Sequence, residues 1–347
     1  MRIIIVGGIA AGMSAAAKLR RTDRGAEIVV YEKSPHISFG ACGLPYYVGG
    51  NFDNIDRMLV RTPEKVRETG IDVKVEHEVL SLDVKNKTIK VKDLQSGEIF
   101  SDKYDKLMIA TGAATIIPPI ENIETAYTLR SVEDGEKLKE KIQDESIKKV
   151  AVIGAGFIGL EVADVAKELG KEVCVFNMGS RILEKVLDEE VTEILEENLR
   201  AHGVELYFNT IVKSLETSPN KTKLITDTDE VEVDLVVLAA GVRPNTSFLK
   251  DTGIEMLPNG AIVIDDEGKT SIQDIYAAGD CATVYHLVKE KQVYIPLATN
   301  ANKLGRIVGS NLGGKSETFQ GTLGSSCIKL LDMEAAATGI TEADAKK

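Results

Sequence analysis

The pattern of apolar and polar positions changes period twice within the first 33 residues. "RIIIV" is an unbroken apolar run of strand length, closed by Gly7-Gly8. "AGMSAAAKLRR" follows with small residues on one face and a basic end, which predicts a closely packed helix. "AEIVVYEK" is again a short β-rich run. Continuous apolar strands alternating with helices predict a parallel sheet buried on both faces. The same order returns at 148–177 in "KKVAVIGAG", "FIGLEVADVAKELG" and "KEVCVFN". Gly154 stands 147 residues after Gly7, so the duplication implies two nucleotide-binding domains and not a short-period repeat.

Between these units the pattern differs. "VEHEVLSLDVKNKTIKVKD" alternates and predicts antiparallel strands. "YDKLMIATGAA" and "VDLVVLAAGVRPN" are buried-strand runs that both end in a small residue and glycine. "SIQDIYAAGDCATV" is an apolar strand that stops at Gly279-Asp280. Strand endings are thus duplicated as well as strand openings. The predicted fold is α/β, with two Rossmann-like three-layer domains.

Composition narrows the function. A chain of 347 residues with a formal net charge of -12 suits two or three domains and argues against nucleic-acid binding, which wants a basic surface. No apolar run approaches the roughly 18–20 residues that span a bilayer, so no membrane partner is expected. The N-terminus reads as mature strand–turn–helix and not as a signal peptide. Cys42, Cys174, Cys281 and Cys327 form no CxxC and no His/Cys cluster, so no metal is expected and a reducing, cytoplasmic compartment fits.

The chemistry sits in the glycines. Gly154-Ala155-Gly156-Phe157-Ile158-Gly159 is a complete dinucleotide fingerprint between strand and helix, where backbone N–H groups and the helix dipole meet a pyrophosphate. The acidic residue expected at the end of the next strand is replaced by Asn177, with Arg181 nearby, which leaves NADH and NADPH both open. Gly7-Gly8-Ile9-Ala10-Ala11-Gly12 is a looser fingerprint with Ile9 at the middle glycine, yet Glu32 closes the following strand at the distance a ribose requires. "SFGACGLPYYVGG" sets Cys42 among residues too small to build a core, where a thiol stays accessible. Cys174 sits within a strand pattern and reads as core, and Cys281 and Cys327 read as structural.

Over essentially its whole length the chain resembles the FAD-dependent pyridine nucleotide–disulfide oxidoreductases. The two fingerprints, "ATG" at Ala110–Gly112, "AAGVRPN" and "TSIQDIYAAGD" carry that likeness. "SFGACGLPYYVGG" resembles the single-cysteine branch, which holds coenzyme A-disulfide reductases, persulfide/polysulfide reductases, NADH oxidases and NADH peroxidases. The resemblance implies Cys42 as the single redox-active thiol, FAD as cofactor and NADH or NADPH as reductant. It implies FAD contacts at the first fingerprint, Glu32, Lys33, Val79, Ala110, Thr111, Gly112, Arg130, Gly279, Asp280, Leu297, Ala298 and Thr299. For NAD(P) it implies Gly154, Gly156, Phe157, Ile158, Gly159, Glu161, Asn177 and Gly241.

Coenzyme A contacts in the family map onto Ser14, Lys18, Arg21, Ser38 and Asn302. A basic group at Lys18, Arg20, Arg21 and Arg24 would suit its phosphates, or equally the C-terminus of the first helix. The family's asparagine before the cysteine is Ala41 here, and its late-helix histidine is Asn302. The oxidases and peroxidases carry a histidine where this chain has Ala10, which favours thiol–disulfide chemistry. The implied domains are 1–115 with 246–320 for FAD, 116–245 for NAD(P), and 321–347 as the start of a truncated dimerisation domain of a homodimeric family. The implied activity is that of a coenzyme A-disulfide reductase. The alternatives are an NAD(P)H oxidase, a persulfide or polysulfide reductase, or a flavin-bearing redox sensor that turns over slowly.

Overall fold

The structure is a computed structural model that describes residues 1–219 and 221–346. In chain order its principal elements begin with β1 (Arg2–Val6), α1 (Ala10–Thr22), β2 (Glu27–Tyr31), α2 (Leu44–Val48), β3 (Ile71–Lys74) and β4 (Lys106–Ile109). There follow α3 (Val132–Gln143), β5 (Lys149–Ile153), α4 (Phe157–Glu168), β6 (Glu172–Phe176), α5 (Glu189–Ala201), β7 (Val204–Tyr207) and β8 (Leu235–Leu238). The last are β9 (Ile275–Ala277), α6 (Ala298–Leu312), β10 (Ser326–Leu330) and β11 (Met333–Ala337). Among the described residues no helix is long and apolar enough to cross a membrane.

Two compact units are present. The first comprises Met1–Gly40, Asp56–Ala114 and Arg243–Gly324, and the second comprises Ala41–Ile55, Thr115–Val242 and Ser325–Lys347. Relative to the division expected from the sequence, 41–55 and 325–347 group with the dinucleotide segment of the second unit. The packing gives the reason. Leu44 and Tyr47 of α2 are buried, Leu44 lies where a Cβ on Gly135 of α3 would go, and Gln143 of α3 donates to the Val48 carbonyl at 3.3 Å.

In the first unit β9, β4, β1, β2 and β3 form one five-stranded sheet in that order, parallel throughout. Its strands bury Ile3, Ile4, Ile5, Val29, Val30, Leu107 and Met108 almost completely, as a sheet covered on both faces requires. The alternating stretch forms an antiparallel sheet of His77–Asp83, Thr88–Asp93 and Ile99–Lys103. In the second unit β7, β6, β5 and β8 make a parallel sheet, and Val212–Thr217, Thr222–Thr226 and Glu230–Val233 an antiparallel one.

Helices α1 and α6 approach backbone to backbone. A Cβ on Gly305 would meet the Ala11 carbonyl, and one on Gly309 the Ala15 carbonyl. Backbone cannot yield as a flexible side chain can, so overpacking here is costly. Gly309→Ala should lower stability by about 1–3 kcal/mol, read as an earlier urea midpoint. An unchanged midpoint would show that the two helices can separate without cost.

Candidate functional site

In the first unit the chain leaves β1 through Gly7, whose N–H donates to the Tyr31 carbonyl at 2.8 Å, and enters α1 at Ala10. A Cβ on Gly12 would collide with the Gly7 carbonyl, so only glycine lets the helix start this close to the strand. Glu32, buried at the end of β2, accepts from the Gly8 N–H at 2.6 Å and the Ser34 N–H at 2.8 Å. Each carboxylate oxygen keeps acceptor capacity for a further donor, as a ribose hydroxyl would be. Gly279, following β9, comes so near α1 that a Cβ there would lie 3.0 Å from that of Ala11. Ala110 donates to the Val6 carbonyl at 2.7 Å, which sets the end of β4 beside the fingerprint loop. Thr111 Oγ1 donates to the Asn245 carbonyl at 2.7 Å, and the Asn245 N–H donates to the Gly112 carbonyl at 3.0 Å.

Helices α1 and α6 have no side-chain cap and no acidic residue in the first turn, and Ala298 and Thr299 are exposed at the start of α6. Helix α3, by contrast, carries a full capping box from Ser131 and Asp134. Uncapped N–H groups next to the buried Glu32 suit the phosphates, ribose and carbonyl-bearing ring of a flavin dinucleotide. Of the other predicted flavin contacts, Lys33 is exposed and paired with Glu78 at 3.1 Å, Val79 is buried, and the Arg130 N–H donates to Asp134 at 2.9 Å.

The predicted coenzyme A contacts do not all converge. Ser14 Oγ donates to Asn302 Oδ1 at 2.9 Å, joining two of them across α1 and α6. Lys18 faces Glu317 at 3.9 Å, and the Ser38 N–H donates to the Gly8 carbonyl at 2.9 Å from a left-handed backbone. Arg21 and Arg24 line a cleft of about 800 Å³ with Arg20. Arg20 itself spends its guanidinium on the carbonyls of Arg24, Ala26 and Gly70, so it finishes the α1 turn.

The second unit repeats the opening. The Gly154 N–H donates to the Phe176 carbonyl at 2.8 Å, and a Cβ on Gly159 would collide with the Gly154 carbonyl. Gly156 caps α4 with no side-chain partner, and a Cβ there would meet nothing within 4 Å, which leaves room for a pyrophosphate. Phe157 and Ile158 begin α4 half-buried, and Gly241 turns the chain at positive φ of 103° just beyond β8. Asn177 Oδ1 accepts from the Ala155 N–H at 3.5 Å, so the strand-end amide does reach the fingerprint loop.

Cys42 lies exposed in the short turn Ala41–Gly43, and α2 follows it. Helix α2 is fixed by Lys139, whose ammonium sits 4.2 Å over the Tyr47 ring and donates to the Phe52 carbonyl. Cys174 and Cys281 are fully buried, and burial pushes their thiols up to about 12 and about 11. Both donate to carbonyls, which leaves them without nucleophilic character. Among the described residues no His, Cys, Asp and Glu cluster can hold a metal.

One cluster escaped sequence reading. Asp164 of α4 is buried, accepts from the Leu331 N–H at 2.6 Å and faces Lys329 at 3.9 Å, anchoring the β10–β11 hairpin. Lys329 also pairs with Glu168 at 2.9 Å. Burial first, and the neighbouring Asp164 charge second, push the Glu161 carboxyl up to about 7. Burial and the charges of Glu161 and Asp164 also raise the Tyr46 hydroxyl. No spacing rule marks Asp164, because the residues that bury it lie some 165 positions away in sequence.

Two fingerprint-bearing parallel sheets, one with an acid at its strand end, define an oxidoreductase built on two dinucleotides. The chain belongs to the pyridine nucleotide-disulphide oxidoreductase family, whose profile residues 1–305 match. It is therefore an NAD(P)H-dependent flavin oxidoreductase with FAD as cofactor. It is similar to an NADH oxidase of Enterococcus faecalis, 38% identical over all of this chain and 78% of that one. It is similar to an NAD(P)H coenzyme A polysulfide/persulfide reductase of Pyrococcus horikoshii, 35% identical over all of this chain and 77% of that one. Among solved structures it resembles a water-forming NADH oxidase of Lactobacillus brevis bound to NADH, with TM-score 0.96 and 36% identity over all of this chain and 77% of that one.

Glu161 makes stability depend on pH in a defined direction. Between its ordinary 4.5 and about 7 the unfolded chain has lost this proton and the folded chain still holds it. Stability from this group therefore falls as pH rises through that window and stays level above it. Glu161→Gln should be more stable than the parent by about 3 kcal/mol at pH 8 and nearly equal to it at pH 4, measured by urea unfolding. An equal gain at both pH values would show that the carboxyl ionises normally.

Proposed function

We propose that this protein is an NAD(P)H-dependent disulfide reductase acting on a small thiol-bearing substrate of the coenzyme A disulfide or persulfide class. The observation that carries this reading is Cys42, an exposed thiol on a bare turn held by a well-packed short helix. FAD, when bound, would supply the two-electron chemistry that links NAD(P)H to sulfur. The remaining roles belong to the chain. Glu32 and the uncapped end of α1 hold the flavin dinucleotide, and the α4 fingerprint holds the nicotinamide dinucleotide.

The Cys42 thiolate attacks one sulfur of the disulfide, forming Cys42–S–S–R and releasing one thiolate, RS⁻, which takes a proton. Two electrons and a proton then cleave that mixed disulfide, restoring the Cys42 thiolate and releasing a second thiol, RSH. One disulfide, one NAD(P)H and one proton thus give two thiols and NAD(P)⁺. The α1 entry carries Ala10 and has no acidic residue in its first turn, so it offers no acid–base group for peroxide chemistry.

The oxidase reading is favoured by a different observation, the 38% identity to the Enterococcus faecalis NADH oxidase. An anaerobic titration separates the two. FAD-loaded protein reduced with NADH should be reoxidised by coenzyme A disulfide with release of two thiols, and Cys42→Ser should keep reduction by NADH and lose thiol release. Reoxidation only on admitting oxygen, in parent and variant alike, would sink the reductase reading in favour of the oxidase.

A further inference from the structure

Helix α3 has the pattern of an amphipathic surface helix, with Val132, Leu138 and Ile142 buried and lysines at 137, 139 and 141 among its polar positions. Packing sets one of those lysines apart. Gly135, Lys139 and Gln143 are spaced four residues apart and therefore share one stripe of the helix. That stripe receives α2, the helix that follows Cys42, and both helices belong to the second unit.

Each position of the stripe holds a different part of α2. Gly135 leaves room for Leu44, whose Cδ2 lies 2.5 Å from where a Cβ would stand. Gln143 Nε2 donates to the Val48 carbonyl at 3.3 Å. Lys139, between them, sets its ammonium 4.2 Å from the centroid of the Tyr47 ring. The same ammonium donates to the Phe52 carbonyl at 3.2 Å, and the Phe52 ring meets that of Tyr47 at 5.7 Å. Lys139 also pairs with Asp53 at 3.3 Å, but the Asp53 side chain is 98% exposed, so that pair contributes little. The Lys139 side chain is only 13% exposed and Tyr47 is buried. A cation over a ring gains strength as water is excluded, so the ring contact is the one that holds.

The turn Ala41–Gly43 buries none of its own residues, and α2 begins at the next residue, Leu44. The frame of Cys42 therefore comes from the helix behind it. We infer that Lys139 is a positioning residue for Cys42, acting through the Tyr47 ring to hold α2 and with it the direction of the sulfur. Attack on a disulfide requires the thiolate to line up with the sulfur–sulfur bond it breaks, and a displacement of about 1 Å can cost on the order of a hundredfold in rate.

The effect on turnover rests on the reductase reading, whereas the order of the Cys42 turn does not. A nitroxide label on Cys42 reads that order with no substrate or nucleotide, in a Cys327→Ser background that removes the other exposed thiol. The label should be restrained in this background and with Lys139→Arg, which keeps a cation over the ring, and about threefold more mobile with Lys139→Met or Tyr47→Leu. In FAD-loaded protein, Lys139→Met should lower kcat for thiol release from coenzyme A disulfide about tenfold with KM changed less than about twofold, and Lys139→Arg should restore kcat. Equal label mobility in all of these proteins would overturn the role given to Lys139. So would a Lys139→Met protein that unfolds in less urea yet turns over like the parent, since that residue would serve stability alone. A parent that releases no thiol would overturn the reductase reading by itself, with label mobility still deciding the role of Lys139.

Discussion

Everything functional in this chain depends on how closely a helix can begin beside the strand it follows. In the first unit the Gly7 carbonyl fills the place of a Cβ on Gly12, and in the second the Gly154 carbonyl fills that of a Cβ on Gly159. This contact permits nothing larger than hydrogen. It aims the first N–H groups of α1 and α4 at the strand ends, and neither helix spends a side chain on capping them. Helix α3 is treated differently, with a capping box from Ser131 and Asp134. Unsatisfied donors at a helix start are costly unless water or a ligand meets them, so their placement marks where phosphate belongs.

Much of this was legible in the sequence because it is local. Strand, turn and helix lie within about a dozen residues at each opening, and the glycines that permit the contact are consecutive in the chain. Glu32 was legible for the same reason, since strand length fixes its distance from Gly7. The α/β class and the two parallel sheets followed from unbroken apolar runs. The other half of the site was not legible, because its partners are distant in sequence. Asp164 looks like any polar helix position until Leu331 and Lys329 are packed on it. Arg20 read equally as part of an anion patch or as a complement to the end of α1, and it closes that end on three backbone carbonyls. Composition and spacing cannot tell a cation that meets a ligand from one that meets its own backbone.

The placement of Cys42 adds a constraint that the motif alone did not contain. Its turn and the following α2 group with the Gly154–Gly159 fingerprint in one compact unit, held by α3 through Lys139 and Gln143. The exposed thiol therefore keeps a fixed frame relative to α4, the helix that opens at Gly156. Tyr46, one turn beyond the cysteine, shares its surroundings with Glu161 and Asp164 of that helix; the Asp164 charge raises Glu161, and both carboxylates raise Tyr46. A thiol and a dinucleotide loop on one rigid frame answer to the same packing, so loss of the α2 contacts would disturb both.

The electrostatics of the second fingerprint follow from the same economy of local contacts. An acid placed at the strand end would sit where Asn177 now holds the Ala155 N–H, and it could not also donate to the Arg181 carbonyl as the amide does. An amide performs both tasks and closes the loop, but it surrenders the negative charge. The loop so closed brings the Glu184 carboxylate over Gly179. Arg181 holds that conformation from within, its guanidinium donating to the carbonyls of Leu187 and Glu184.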